Sequence, residues 1–272
     1  MRVRNLLVPG TKTWMHLANP VVKLVGMVLL FLMTLFTHRM DVMFYQMVIF
    51  TVLLFWQSGY AFWKIMIIVL SFCIVFISSS SSMILFGKGD TMWWTWGLIR
   101  ISEESFFRGV HIGIKSVTFA AEGLLFVLTT PSVSLFYALM QKAKLPPKYA
   151  YSFMASIRLL PMVWEEFQIR RNALAIRGTK SSKGIQGWIL QIKLYAVPML
   201  AQSIRRAHRV AVAMESKAFV SDNKRTYYYP SVFTKYDPIV VIVLCVSVVA
   251  AFVLAAQLPI FGIEDVRYKS GI

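Results

Sequence analysis

The chain has 272 residues, of which 57% are hydrophobic and 15% are charged. Soluble domains carry roughly 25% charged residues, so the composition disfavours a water-soluble globular fold. The excess of Lys and Arg gives a formal net charge of +17, which favours a membrane protein with its cations on one side. Cys73 and Cys245 both lie inside apolar runs, which excludes a disulfide framework or a cysteine-based metal site.

Five apolar stretches are candidates for membrane spans. A bilayer core about 30 Å thick needs roughly 20 apolar residues of helix. In chain order the stretches are 24–37, extended backwards to Pro20, then 42–63, 65–87, 109–130 and 238–263. The tryptophans that follow the third stretch are expected to anchor at the outer membrane interface; they are Trp93, Trp94 and Trp96.

The segment 131–235, between the fourth and fifth stretches, carries most of the charge. It holds seventeen Lys/Arg and four acids, a net +13 of the total +17. Four more cations precede the first span: Arg2, Arg4, Lys12 and Lys23. Because cytoplasmic segments hold the excess of Lys and Arg, this distribution places the N-terminus and 131–235 inside the cell and the C-terminus outside. Three regions are predicted: 1–130 with four spans, a cytoplasmic domain at 131–235, and 236–272 with the last span and an outer tail.

Two long amphipathic helices are predicted within this basic segment. From 148 to 177 apolar residues recur three or four apart, after Pro146 and before Gly178, and a similar run covers 185–219. Each run contains one proline, Pro161 or Pro198, which predicts a kink. A short helix is expected at 132–142. The fold class is therefore an all-α membrane protein with about five transmembrane helices, two long amphipathic helices and one short helix.

The ends of the two long helices resemble each other. Each has an arginine pair, then alanines, then a lone cation beside small or apolar residues; the two runs are Arg170-Arg171-Asn172-Ala173-Leu174-Ala175-Ile176-Arg177-Gly178 and Arg205-Arg206-Ala207-His208-Arg209-Val210-Ala211-Val212-Ala213-Met214-Glu215-Ser216-Lys217-Ala218-Phe219. The helix dipole favours a cation at this position without any further role. The repetition favours a second interpretation, in which each cation enters an acidic groove on a partner.

Several other classes of protein lack support in the sequence. There is no P-loop, zinc-protease or nucleophile-elbow motif, and no zinc-finger or RNP-like motif accompanies the basic segment, so nucleic-acid binding is not expected. A membrane-embedded lipid or isoprenoid enzyme would need clustered acids or histidines at the membrane boundary. Glu165 and Glu166 are one acid pair, but both lie near Arg170, and an i,i+4 ion pair is a simpler explanation for them than a catalytic role. An independent carrier would favour inverted repeats of spans, which the span order does not show.

Ionisable residues at membrane depth leave two alternatives open. His111, Lys115 and Glu122 lie in the fourth stretch, where such groups are functional candidates. The second alternative is structural: the Lys115 ammonium group would extend to the membrane interface, and Glu122 would pair with another side chain within the helix bundle.

Five short motifs, in order, resemble the transmembrane T component of energy-coupling factor transporters, which are prokaryotic ABC-type importers of vitamins and metal ions. The motifs are His16-Leu17 with Asn19-Pro20-Val21-Val22-Lys23, Thr129-Thr130-Pro131 with Ala138-Leu139, Ile157-Arg158-Leu159-Leu160-Pro161, Ala175-Ile176-Arg177-Gly178, and Ala213-Met214-Glu215-Ser216-Lys217-Ala218-Phe219. The last departs from the family pattern, with Ser-Lys-Ala where the family has Ala-Arg-Gly. Lysine keeps the charge but lacks the guanidinium fork.

The resemblance implies a scaffold without catalytic residues, metal or cofactor of its own, in the plasma membrane of a prokaryote. Two ABC ATPase subunits would bind ATP and dock on the helix ends, while a small substrate-binding membrane subunit (the S component) would contact the membrane region and the two long helices, which cross. It assigns ATPase binding to Ala175, Ile176, Arg177, Gly178, Ser216, Lys217 and Ala218. It assigns a structural role in the coupling helices to Arg158, Pro161, Pro198, Ala207 and Ala211. Arg177→Glu is predicted to disrupt transport and ATPase assembly more than Lys217→Ala.

Overall fold

A computed structural model of the chain describes residues 11, 13–87, 89, 91–96, 99–178, 184–219, 226–263 and 266. Two compact units result: Met1–Ala138 with Ser231–Ile272, called here the membrane unit, and Leu139–Pro230, called the helix-pair unit. The helices, in chain order, are α1 (Trp14–Leu17), α2 (Pro20–Phe36), α3 (Met40–Gln57), α4 (Phe62–Phe86), α5 (Glu103–Thr129), α6 (Ser132–Lys142), α7 (Pro147–Ile176), α8 (Ile185–Ser216) and α9 (Asp237–Gln257).

Within the described ranges, α3, α4, α5 and α9 are long and apolar enough to cross a membrane. The first predicted span corresponds to α2, which is shorter: its 17 residues give about 26 Å of helix. The all-α membrane fold is thus confirmed, with different helix ends. The second predicted stretch is divided near Gly59, whose φ of +68° belongs to a turn. Helix α5, which corresponds to the fourth predicted span, begins earlier than predicted, at Glu103, because the Ser102 hydroxyl caps it by accepting the Ser105 N–H at 3.2 Å.

The core of the membrane unit lies where α2, α3, α5 and α9 meet. Its fully buried side chains include Phe50, Leu54, Leu125 and Val240. Apolar side chains on the outer faces, such as Ile74, remain exposed. Burial on one face and apolar exposure on the other is the pattern of a helix that packs inward and meets lipid outward.

A β-hairpin between α4 and α5 was not expected from the sequence. Strands β1 (Met92–Trp96) and β2 (Ile99–Ser102) pair antiparallel. Aromatic residues favour strands, which explains why the tryptophan-rich stretch forms one. Trp93 and Trp94 are exposed on β1, as an interfacial anchor requires, whereas the Trp96 side chain lies outside the described residues.

The helix-pair unit is built on α7 and α8, which run antiparallel. The Tyr151 ring on α7 contacts Phe219 just beyond α8, with ring centroids 5.5 Å apart, and Phe167 contacts Tyr195 at 5.3 Å. Higher residue numbers on α7 therefore meet lower numbers on α8. Both prolines, Pro161 and Pro198, lie inside continuous helices.

Candidate functional site

The first candidate binding tip is the end of α7, residues 175–178, called here the α7 tip. The backbone N–H of Arg177 donates to the Ala173 carbonyl oxygen at 3.1 Å, and that of Gly178 donates to Ala175 at 3.1 Å. Gly178 has a φ of +66°, a left-handed conformation that favours glycine. Ile176 and Arg177 are exposed beside this turn, so the turn ends the helix and leaves the cation projecting.

The second candidate tip is the end of α8, residues 216–218, called the α8 tip. The Ala218 N–H donates to the Glu215 carbonyl oxygen at 2.9 Å and the Phe219 N–H donates to Met214 at 3.0 Å. These two bonds form the paired closure that ends many helices in a left-handed residue. Ala218 is that residue, with a φ of +51°, and Lys217 is exposed.

The two tips share one backbone geometry. In each, an exposed cation is the last residue before a left-handed turn, at Gly178 and Ala218 respectively. Ala218 therefore keeps the turn that Gly178 makes, although a left-handed conformation costs a residue with a Cβ roughly 1–2 kcal/mol.

The antiparallel arrangement places the tips at opposite ends of the helix pair. Phe219, next to the α8 tip, contacts Tyr151 near the start of α7. From residue 151 to residue 177 an α-helix rises roughly 39 Å. The two cations are therefore about 40 Å apart and cannot serve a single small groove.

The residues predicted to shape the long helices fall into two groups. Arg158 and Pro161 on α7, and Ala207 and Ala211 on α8, are exposed, so α7 does not cover the alanine positions of α8. Pro198 is half-buried and lines a cavity between α7 and α8. The alanines are consequently open to a partner rather than part of the contact between the two helices.

The predicted ion pair between Glu166 and Arg170 is wrong. Glu166 instead reaches across to α8, where its carboxylate accepts from the Arg206 guanidinium and from Gln202 Nε2. Glu166 pairs with a cation on α8 rather than on α7 because Arg206 and Gln202 both donate to the same carboxylate oxygen, Oε1. The pair fastens α7 to α8 near their middle, and it occupies one of the acids that a membrane-enzyme interpretation requires.

A buried polar anchor in the membrane unit was not predicted from the sequence. The sequence places Lys23 among the cations that precede the first span, but Lys23 lies in α2 and is fully buried. Its ammonium group donates to the carbonyl oxygens of Met15 at 3.0 Å and Thr129 at 2.9 Å. Thr129 is the last residue of α5, where the helix dipole favours a cation.

The same anchor holds the start of α9. The Asp237 carboxylate accepts the backbone N–H of Asn19 at 2.6 Å and that of Thr234 at 2.8 Å. The Asn19 side chain donates to the Ser231 hydroxyl at 3.0 Å. Residues 19–23 thus tie together the end of α5 and the start of α9, the helices that flank α6–α8 in the chain. The motif at 19–23 was a signal of the resemblance, but its role depends on partners more than 100 residues away.

The ionisable residues of α5 make separate contacts. Lys115 donates to the carbonyl oxygens of Leu35 and Thr37 at the end of α2, at 2.6 and 3.3 Å. Glu122 accepts from Thr34 Oγ1 at 3.2 Å and from Gln46 Nε2 at 3.0 Å. Of the two alternatives left open above, these contacts favour structural pairing. Groups of three His, Cys, Asp or Glu able to hold a metal ion are not found among the described residues.

These features define the class: a polytopic membrane protein whose chain also forms an antiparallel helix pair with two cationic tips. The family model CbiQ, described as cobalt transport protein, matches residues 11–228. The chain belongs to this family. The predicted resemblance to the T component of energy-coupling factor transporters is thereby confirmed.

Individual relatives agree with this assignment. Each is named "Energy-coupling factor transporter transmembrane protein EcfT". The protein from Limosilactobacillus fermentum is 25% identical over 178 residues, which cover 62% of this chain and 67% of the relative. That from Bacillus subtilis is 27% identical over 168 residues, covering 59% of this chain and 63% of the relative. A longer match, to Lacticaseibacillus paracasei, is 23% identical over 229 residues and covers 81% and 86%. The chain therefore spans about two thirds of the first two relatives and more of the third.

Proposed function

We propose that this chain is the coupling subunit of an energy-coupling factor importer for a vitamin or metal ion. In this proposal two ABC ATPase subunits bind and hydrolyse ATP, and the chain itself is not an enzyme and binds no cofactor. A small substrate-binding membrane subunit selects the cargo. Family membership and the names of the relatives support the assembly as a whole.

The observation that carries the proposal is the pair of matched tips at opposite ends of one antiparallel helix pair. A separation of about 40 Å suits two ATPase subunits, one at each tip. Arg177 would dock in one acidic groove and Lys217 in the other. An arginine can grip a carboxylate with two parallel hydrogen bonds, whereas a lysine acts as a point charge. We therefore assign the stronger contact to Arg177.

The helix pair is fastened in a way that suits force transmission. The Glu166–Arg206 ion pair and the Phe167–Tyr195 ring contact join α7 to α8 between the tips. A displacement at either tip therefore moves both helices. The small exposed residues Ala207 and Ala211 allow a close approach by another backbone, and we assign this face of α8 to the substrate-binding subunit.

Exchange of charge at one tip tests the docking proposal. Arg177→Glu is expected to abolish co-purification of the ATPase subunits and substrate uptake, since it places a carboxylate against an acidic groove. Lys217→Ala should reduce both less. The matched control is Arg171→Glu, which makes the same charge change at an exposed position of α7 away from the tip. Normal uptake and ATPase retention in Arg177→Glu, or equal losses in Arg171→Glu, would contradict the proposal.

A further inference from the structure

The chain passes between the membrane unit and the helix-pair unit at two places, after Ala138 and before Ser231. The helix-pair unit is therefore an insertion carried on two connections, residues 130–138 after α5 and residues 231–236 before α9. Units joined by linkers alone usually move relative to each other. A displacement that passes along the chain from α7 and α8 into the membrane unit must go through these two connections. The groups that hold the ends of the connections therefore determine how much of the displacement is passed on.

The buried polar anchor at residues 19–23 holds both connections where they enter the membrane unit. Lys23 Nζ donates to the carbonyl oxygen of Thr129, the last residue of α5, at 2.9 Å. On the other connection, the Asp237 carboxylate at the start of α9 accepts the Asn19 N–H at 2.6 Å, and Asn19 Nδ2 donates to Ser231 Oγ at 3.0 Å. The Lys23 ammonium and the Asp237 carboxylate also attract each other electrostatically. One cluster of side chains thus fixes both connections to the start of α2.

The anchor is closed to water. Lys23 is fully buried, and Asn19 and Asp237 are buried beside it. If the Lys23 ammonium left its carbonyl oxygens, no water would be at hand to replace the lost hydrogen bonds, and buried polar atoms without partners are costly. A buried charge pair holds its geometry more firmly than the same groups at the surface, because the electrostatic attraction is stronger at low dielectric. The anchor is therefore a firm joint.

The two connections are also joined at their other ends, within the helix-pair unit. Gln141 Nε2 on α6 donates to the carbonyl oxygen of Tyr229 at 2.8 Å. Gln141 follows the first connection and Tyr229 precedes the second, so this bond links the first residues of the helix-pair unit to its last. Each connection is thus held at both of its ends.

We propose that Lys23 is a positioning residue for energy coupling, an inference that rests on the proposed function. Lys23 acts through the backbone of Thr129: it ties the end of α5 to the residues that also hold the start of α9. The two connections then behave as one stiff link, so that nucleotide-driven motion of α7 and α8 moves α5 and α9 together. Without this tie each connection bends by itself and absorbs the motion.

The test follows nucleotide-driven motion through the intact complex. The complex is purified through an affinity tag on this chain and placed in lipid nanodiscs. Hydrogen exchange with mass spectrometry compares it with and without AMP-PNP, a non-hydrolysable ATP analogue, at the two tips and at the start of α9. The analogue should change exchange at all three places in the unaltered complex. Lys23→Met keeps the length of the side chain but removes the donor; it should retain the change at the tips and lose it at the start of α9.

Lys115→Met is the matched control for this substitution. Lys115 also donates to two backbone carbonyl oxygens, those of Leu35 and Thr37, but these lie at the end of α2, which does not continue into either connection. The same chemical change at Lys115 should therefore leave the response to AMP-PNP at the start of α9 intact. A role of buried lysines in stability alone would affect both variants alike.

Asn19→Ala is a milder variant, which keeps the proposal testable if Lys23→Met misfolds. It removes the side-chain hydrogen bonds to Ser231 and Val232 and leaves the backbone N–H that Asp237 accepts. The response at the start of α9 should become smaller in Asn19→Ala, while the response at the tips is retained.

Three results would overturn the inference. A full response at the start of α9 in Lys23→Met, or an equal loss in Lys115→Met, would contradict it and leave the proposed function standing. Loss of the ATPase subunits from both Lys23→Met and Asn19→Ala would assign the anchor to assembly of the complex. Absence of ATPase subunits from the unaltered chain would contradict the proposed function itself, and the inference with it.

Discussion

Gly178 and Ala218 hold the same left-handed conformation with different side chains. Gly178 adopts its φ of +66° without cost, whereas the Cβ of Ala218 makes a φ of +51° unfavourable by roughly 1 kcal/mol. Ala218→Gly is therefore expected to slow amide hydrogen exchange in the last turn of α8 about fivefold. Gly178→Ala is the matched opposite change and should accelerate exchange at the end of α7. Hydrogen exchange followed by mass spectrometry measures both; the same direction of change in the two variants would contradict the argument.

Buried polar residues are the part of the molecule that sequence patterns describe least. Lys23 precedes an apolar run, so its position alone suggests a charge at the membrane boundary. Its burial follows from two carbonyl oxygens, of Met15 and Thr129, of which the second is 106 residues away. Glu166 shows the same limit: its partner could be sought at i+4, but the structure supplies one on α8, 40 residues away. The spacing of residues along the sequence predicts pairs within one helix, but it does not identify a hydrogen-bond partner that is distant in the sequence.

At the scale of elements, the sequence predicts the ends of the long helices more accurately than it predicts the segment between α4 and α5. Pro146 and Pro147 mark the start of α7 and Gly178 marks its end, and the structure has Pro147–Ile176. The start of α8 at Ile185 also agrees. Prolines and glycines at helix ends act through residues within one turn of the helix, so the local sequence is enough to predict them. The β-hairpin was missed because its pairing joins residues across a turn, and the tryptophans that form it also suit an interfacial anchor.

The contact between α4 and α5 depends on a glycine. A Cβ at Gly109 would lie 3.0 Å from the Ser80 carbonyl oxygen and 3.2 Å from the Ile84 nitrogen, both backbone atoms that cannot move aside cheaply. Gly109→Ala is therefore expected to destabilise the membrane unit by about 1–3 kcal/mol through overpacking.

Gly123 on the same helix provides the control for this prediction. A Cβ there would lie 3.8 Å from Phe31 Cζ, an ordinary contact, and alanine has the higher helix propensity. Gly123→Ala should be neutral or slightly stabilising. Thermal denaturation of the detergent-purified variants, followed by size-exclusion chromatography, compares the two; a melting temperature for Gly109→Ala equal to or above that of Gly123→Ala would show that α4 and α5 do not pack as described.

At the scale of the whole molecule, the distribution of charge favours one orientation in the membrane. The segment 131–235 carries +13 of the net +17 charge, and the apolar helices α2, α3, α4, α5 and α9 give an odd number of crossings if α2 also spans. Both facts favour a cytoplasmic helix-pair unit and an outer C-terminus, because translocation of a strongly basic segment is unfavourable. The proposed docking of ATPases at the tips requires this orientation, since ATP is available inside the cell.

Cysteine labelling in intact cells tests this orientation directly. With Cys73 and Cys245 replaced by serine, single cysteines are introduced as Ile185→Cys at the start of α8 and Ile260→Cys after α9; these side chains are 80% and 55% exposed. A membrane-impermeant maleimide should label Ile260→Cys in intact cells and Ile185→Cys after permeabilisation alone, because the bilayer separates the reagent from the cytoplasmic side. Labelling after permeabilisation also shows that each thiol is reactive. The reverse pattern would place the cationic tips outside the cell, away from nucleotide, and would exclude the proposed coupling role.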